Sequence, residues 1–132
     1  MSAGEFDSLI AEARHARENA HAPYSNFRVG AALRATSGRV FGGCNVENAT
    51  YGLTVCAERI AIFKAISEGE RGFDAVAVVT DADRLTPPCG ACRQLLWEFC
   101  GDATVILANL KGKTEVLRMR DLFPKPFDSS NL

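Results

Sequence analysis

Hydrophobic positions fall into runs whose spacing switches between helical and strand-like along the chain. Phe6, Leu9, Ile10, Ala13 and Ala20 lie at helical spacing and predict a first helix running to about Ala20, which Pro23 stops. Phe27 to Leu33 and Arg39 to Gly42 predict two strands around Thr36-Ser37-Gly38, a hairpin turn. An apolar run through Ile60, Ile62, Phe63 and Ile66, closed by Gly69, predicts a helix opening at Cys56. Ala75-Val76-Ala77-Val78-Val79 does not alternate, which predicts a strand buried on both faces. The stripe Cys92, Leu95, Leu96 and Phe99 predicts a helix starting just after Pro88. Thr104 to Ala108 and Thr114 to Leu117 predict the last two strands, with Gly112 between them, and Leu122-Phe123-Pro124 begins a tail. Strands alternating with helices imply a three-layer α/β/α sandwich. No repeat, linker or low-complexity segment divides the chain, so one domain over residues 1–132 is expected.

Composition narrows the choice of function. A net charge of −1 offers no basic surface, which disfavours a polynucleotide partner. No apolar run approaches transmembrane length, and Met1-Ser2-Ala3-Gly4-Glu5-Phe6-Asp7 lacks the pattern of a signal peptide. No membrane partner is expected. Five cysteines are an odd count for a disulfide framework. Thiolates bound to metal in a cytoplasmic chain fit that count better.

The chemistry concentrates in two short segments, Cys56-Ala57-Glu58 and Pro88-Cys89-Gly90-Ala91-Cys92. Cys56, Cys89 and Cys92 offer three thiolates, enough to hold Zn²⁺ with its fourth position open, as catalytic rather than structural sites do. All three sulfurs are expected at helix N-termini, where free N–H groups and the macrodipole favour thiolate. Glu58 is a candidate to handle the protons of a water at the metal. Residues 56 and 58 point to different faces of a helix interior, so they share a site only if the helix begins near Cys56. Three thiolates and one Zn²⁺ sum to −1, and Arg59 is placed to offset that charge with donors to the sulfurs. Other readings of these cysteines are a redox pair at Cys89 and Cys92, and a structural zinc with Cys44 or Cys100 as fourth ligand. The first leaves Cys56 and Glu58 unexplained, while Cys44 and Cys100 suit small buried positions. His15 and His21 have no cysteine or carboxylate arrangement beside them and are read as surface residues. Trp97 is read as packing on its helix rather than as a stacking platform.

The ordered pair of segments resembles the zinc-dependent nucleoside deaminases, most closely the small cytidine deaminases with three cysteine ligands. Pro23-Tyr24-Ser25-Asn26-Phe27, Val29-Gly30-Ala31-Ala32, Cys44-Asn45-Val46-Glu47-Asn48 and Tyr51-Gly52 agree, so the resemblance runs from about Pro23 to Phe127. It implies a mixed five-stranded sheet, one Zn²⁺ per chain, and hydrolytic deamination of cytidine and 2′-deoxycytidine in pyrimidine salvage, with a non-ligand glutamate, here Glu58, as acid and base. It further implies that Phe27 stacks near the base, that the Ala57 backbone meets the base edge, and that Asn45 and Glu47 hold the ribose 3′-hydroxyl. It implies a homotetramer with shared sites, to which Tyr51 and Phe127 are the matching contributors. Two rival expectations are a deaminase of a cytosine-containing antibiotic on the same scaffold, and a non-enzymatic zinc module with four cysteines.

Overall fold

The computed structural model describes residues 4–132. Met1, Ser2 and Ala3, part of the stretch read above for a signal peptide, lie outside the described residues. Helix α1 (Asp7–Arg17) precedes a hairpin of β1 (Gly30–Ala35) and β2 (Val40–Cys44). Helix α2 (Ala57–Ser67) leads to β3 (Phe73–Thr80), and α3 (Gly90–Cys100) connects β3 to β4 (Thr104–Asn109). Strand β5 (Thr114–Arg118) and the short α4 (Met119–Leu122) follow. The five strands form one sheet in the order β2-β1-β3-β4-β5. The β3–β4 pair is parallel and the other pairs are antiparallel. The sheet is therefore mixed, as expected.

Alternation along the central strands builds two cores, one on each face of the sheet. Leu33, Val76, Val78, Val105 and Leu107 pack with Ala61, Ile62, Ala65 and Leu96 of α2 and α3. Ala32, Ala75, Ala77, Val79, Ile106 and Ala108 pack with Phe6, Leu9 and Ala13 at α1. One sheet between these helical layers is the three-layer α/β/α sandwich. The run from Ala75 to Val79 is buried throughout, as its continuous apolar character requires.

Several strand ends differ from the sequence reading by one or two residues, and three larger differences have a local reason. α1 ends at Arg17 rather than near Ala20, because Glu18, Asn19 and Ala20 donate to carbonyls three residues back and tighten the last turn. β1 starts at Gly30 rather than Phe27, because the Asn45 side chain takes the place of a strand partner there. Its Nδ2 donates to Phe27 O at 2.8 Å, and its Oδ1 accepts the Val29 N–H at 2.9 Å. The tail opens with α4, whose Met119 is fully buried against the α2–α3 core. A four-residue helix is too short to show a period in sequence. Among the described residues no helix is long and apolar enough to cross a membrane.

Two glycines let helices lie directly on the sheet. A Cβ at Gly30 would stand 2.0 Å from Ala13 O of α1. A Cβ at Gly43 would stand 2.6 Å from Ala57 O and 2.7 Å from the Ala61 nitrogen of α2. Both neighbours at Gly43 are helix backbone, so the first turn of α2 would have to shift. Gly43→Ala is expected to cost about 1–3 kcal/mol, the range for overpacking. It should also lower zinc content, because α2 carries Cys56 at its start. Gly52→Ala, with nothing within 4 Å of its added Cβ, serves as the neutral comparison in thermal unfolding and metal analysis.

Candidate active site

The site lies where α2 and α3 begin, beside the carboxyl end of β3. Cys56 is the N-cap of α2 with φ −71° and ψ 154°, and Cys89 is the N-cap of α3 with φ −67° and ψ 171°. Both are extended, and neither helix start is closed by a side-chain hydrogen bond. The unpaired N–H groups of the first turns and the positive ends of both dipoles therefore sit beside the sulfurs. Cys92 follows one turn into α3 and is buried. Because Cys56 is outside helical dihedrals, it shares a cavity with Glu58, as the sequence reading requires.

The three sulfurs lie within 4.8 Å of one another, and those of Cys56 and Cys89 are 4.0 Å apart. Zinc–sulfur bonds of about 2.3 Å in a tetrahedron separate sulfurs by about 3.8 Å. The trio thus fits a metal after a small inward closure. Cys44 and Cys100 stand outside this group. The Cys56 thiol is drawn down to about 5, first by its hydrogen bond with Cys92 and also by Arg59. Cys92 is pushed up by the same bond and by burial, so the proton stays with it. Arg59 Nη2 donates to Thr54 O at 3.0 Å and lies 3.9 Å from Cys56 Sγ. The guanidinium thus reaches the cluster at the sulfur of Cys56.

Glu58 is 4 % exposed, and burial pushes its carboxyl up to about 7. It lines a cavity of about 230 Å³ together with Phe27, Asn45, Glu47, Cys56, Ala57 and Cys89. Seven of the residues singled out in sequence therefore face one space. A wider cavity of about 360 Å³ adjoins it and shares Ser25, Glu47 and Thr54, adding Tyr24 and Tyr51. The rings of Tyr24 and Tyr51 meet edge to face, 6.2 Å between centroids. Glu47 Oε1 accepts the N–H groups of Tyr24 and Ser25 at 2.9 and 3.1 Å, and Oε2 accepts the Ser25 hydroxyl. The Ser25 bond and these N–H groups hold the Glu47 carboxyl below its usual range.

Phe127 lines neither cavity. It belongs to a tail fastened along α3, where Gln94 Nε2 donates to Phe127 O at 2.8 Å and Trp97 Nε1 donates to Asp128 Oδ2 at 2.8 Å. Trp97 packs against the core, as read from sequence, and in addition anchors the tail, while Arg120 lies over its ring at 5.0 Å. Sequence reasoning missed the cavity residues Ser25, Thr54, Val78, Thr86 and Pro87. Ser25 was visible inside the quoted Pro23–Phe27 motif. Thr86 and Pro87 come from the β3–α3 loop, pinned when Asn109 Nδ2 donates to Ala82 O at 3.1 Å and Thr86 meets the buried Thr80 at 3.2 Å. No spacing in sequence announces that loop's course.

The profile of the cytidine and deoxycytidylate deaminase zinc-binding region matches residues 5–108, a span that includes all three clustered cysteines and Glu58. The chain belongs to the cytidine deaminase family. It is 50 % identical over 129 residues to a cytidine deaminase of Sporosarcina psychrophila, covering 97 % of this chain and 95 % of the relative. It is 52 % identical over 125 residues to the cytidine deaminase of Halalkalibacterium halodurans, covering 94 % and 95 %. The crystal structure of cytidine deaminase from Burkholderia pseudomallei superposes with a TM-score of 0.89 at 48 % identity, covering 96 % of this chain and all of that one. The chain is thus an enzyme of a hydrolytic deaminase family that acts on small molecules. Zinc is the metal of the matched region, and the three-sulfur group is suited to hold it.

Replacing Cys56, Cys89 or Cys92 by Ala is expected to strip most of the zinc and lower the melting temperature, since metal binding is coupled to folding. Cys44→Ala and Cys100→Ala should retain it. Metal analysis of the five purified variants checks this, and zinc loss at Cys44 or Cys100 would defeat the three-sulfur assignment.

Proposed function

We propose that the chain deaminates free cytidine and 2′-deoxycytidine to uridine and 2′-deoxyuridine with release of ammonia, in pyrimidine salvage in the cytoplasm. The observation that carries this reading is the buried Glu58 carboxyl sharing one small cavity with two of the clustered cysteines, Phe27, Asn45 and Glu47. The whole chain acts as one deaminase domain. Cys56, Cys89 and Cys92 are the zinc ligands. When bound between these sulfurs, zinc would supply the acidification of a water in the cavity. Glu58 takes a proton from that water and delivers it to the pyrimidine N3, as the water oxygen adds to C4. Glu58 then moves the proton of the new C4 hydroxyl to the amino group, the C4–N bond breaks, and ammonia leaves as the C4 carbonyl forms. Arg59 offsets the negative charge of the three thiolates.

Phe27 stacks near the base, the Ala57 backbone meets its edge, and Asn45 and Glu47 bind the ribose 3′-hydroxyl. The hydrogen bonds these two already make are compatible with that task, because an amide and a carboxylate each have further lone pairs or hydrogens to offer. They also make loop-holding a real second role for both. No Lys or Arg lines either cavity among the described residues, and the Glu47 carboxylate stands at their junction. A phosphate would meet an acid and no cation there, which favours nucleosides over nucleotides.

The exposed apolar groups support a homotetramer with shared sites. Tyr51, Leu53, Phe63 and Phe127 are all exposed on this chain. Phe127 is held by its own α3 and away from its own cavity, which suits a part in a neighbour's site. Tyr51 at the outer cavity suits the same arrangement.

Two outcomes test the reading. Glu58→Gln should keep the fold and one zinc per chain while turnover falls at least about a hundredfold, the lower end for general acid–base work. An ultraviolet assay with cytidine, 2′-deoxycytidine, cytosine and a cytosine-containing antibiotic measures it, and near-normal turnover in the zinc-replete variant refutes the proton role. For the shared site, Glu58→Gln and Tyr51→Ala chains are unfolded and refolded together. Some mixed sites combine an intact Glu58 with a neighbour's intact Tyr51, so activity should exceed the sum of the separate variants. With mixed tetramers confirmed, no gain means that Tyr51 acts within its own chain, and a monomer by light scattering removes the shared site altogether.

A further inference from the structure

Ser25 belongs to the Pro23–Phe27 motif and lines both cavities, yet the reaction as derived gives it no task. Its hydroxyl donates to Glu47 Oε2 and accepts the Phe27 N–H at 3.0 Å. A hydroxyl has one hydrogen to give. With that hydrogen committed to Glu47, the oxygen is oriented to receive Phe27. Asn26, between them, sits in the left-handed region at φ 59°, and its N–H returns to Ala22 O at 2.9 Å. Such a conformation is one that Asn tolerates better than most residues. The segment is thus a tight turn wrapped on the Glu47 carboxylate. From the other side, Asn45 Nδ2 holds Phe27 O at 2.8 Å. The Phe27 backbone is therefore gripped at both its N–H and its carbonyl, by residues that lead to the two sugar-facing side chains.

We propose that Ser25 is a positioning residue that ties the Glu47 carboxylate to the Phe27 backbone, so that one hydrogen-bond network sets the sugar contact and the base contact together. What these two residues touch rests on the nucleoside reading above. The network itself rests on the hydrogen bonds alone. A sugar that moves Glu47 turns the Ser25 hydroxyl, and Phe27 loses its acceptor. Discrimination at the sugar thereby reaches the base wall without a hydrogen bond between Glu47 and Phe27.

The test uses the zinc-loaded full chain. Ser25→Ala is expected to raise KM for cytidine about tenfold, as for loss of a hydrogen bond to a charged group. Its kcat should stay within about threefold, because the group acts on binding rather than on the proton transfers. Ser25→Thr keeps the hydroxyl and should restore most of KM. In a Glu47→Gln background, Ser25→Ala should add less than about threefold, since coupled residues are not additive. An unchanged KM in Ser25→Ala, or a full tenfold increment in the double variant, overturns the proposal. Amide exchange at Phe27 gives a second readout free of turnover. It should quicken in both Ser25→Ala and Glu47→Gln, although Glu47 makes no hydrogen bond to Phe27, and an unchanged rate in Glu47→Gln overturns the network even if Ser25→Ala does not fold. The two ideas fail separately: a wild-type chain inactive on cytidine and 2′-deoxycytidine defeats the nucleoside reading, while exchange still decides on Ser25.

Discussion

Everything at the site depends on two helix starts being brought together until three sulfurs nearly touch. Thiolates repel, and packing must hold them against that repulsion until a cation arrives. Ala61, Ile62 and Ala65 of α2 share one core with Leu96 of α3, which fixes the two helices against each other beneath the sulfurs. Without a cation the cluster settles its charge internally, with Cys56 favoured as thiolate and Cys92 kept protonated. A dication removes the competition, because each sulfur then gains more from the metal than from its neighbour's proton. Helix dipoles and Arg59 act in the same direction, and they act on Cys56 from within its own segment.

The opposite wall is made differently. Beyond Cys44 the hairpin ladder thins to one backbone bond, from Asn45 N–H to Val29 O at 3.3 Å, and side chains take over much of the strand pairing. Asn45 bonds to the backbone of Phe27 and Val29 as a strand partner would, and Glu47 collects the turn at residues 24–25. An ordinary strand pair would have closed this end of the sheet. Side-chain pairing instead leaves a hollow, lined by groups that still have hydrogen-bonding capacity. The cavity is thus a direct result of ending β1 and β2 where they end.

How much of this was legible in sequence followed the range of the forces involved. Periodicity located α2, α3 and the buried β3, because burial writes its period directly into the order of residues. Cys56, Glu58, Cys89 and Cys92 were legible because metal chemistry restricts residue type and spacing. The resemblance then supplied a mixed five-stranded sheet, while strand order stayed open until the fold placed β1 beside β3. What escaped was set by single long-range contacts. Asn45 shortened β1, Asn109 and Thr80 steered the loop that carries Thr86 and Pro87, and Met119 anchored a helix too brief to show a period. Ser25 stood in plain view, but its task depends on the fold placing Glu47 opposite it.

The two faces of the sheet also differ in how much repacking they permit. The α2–α3 face is filled with Leu, Ile, Phe and Val side chains, whose volumes can be exchanged among neighbours. The α1 face is built largely from Ala13, Ala32, Ala75, Ala77 and Ala108, and α1 comes down onto Gly30 itself. Alanine against glycine has no smaller partner to trade with. Close backbone approach constrains each layer at one point, Gly30 beneath α1 and Gly43 beneath α2, but the α1 layer has fewer large side chains among which volume can be traded.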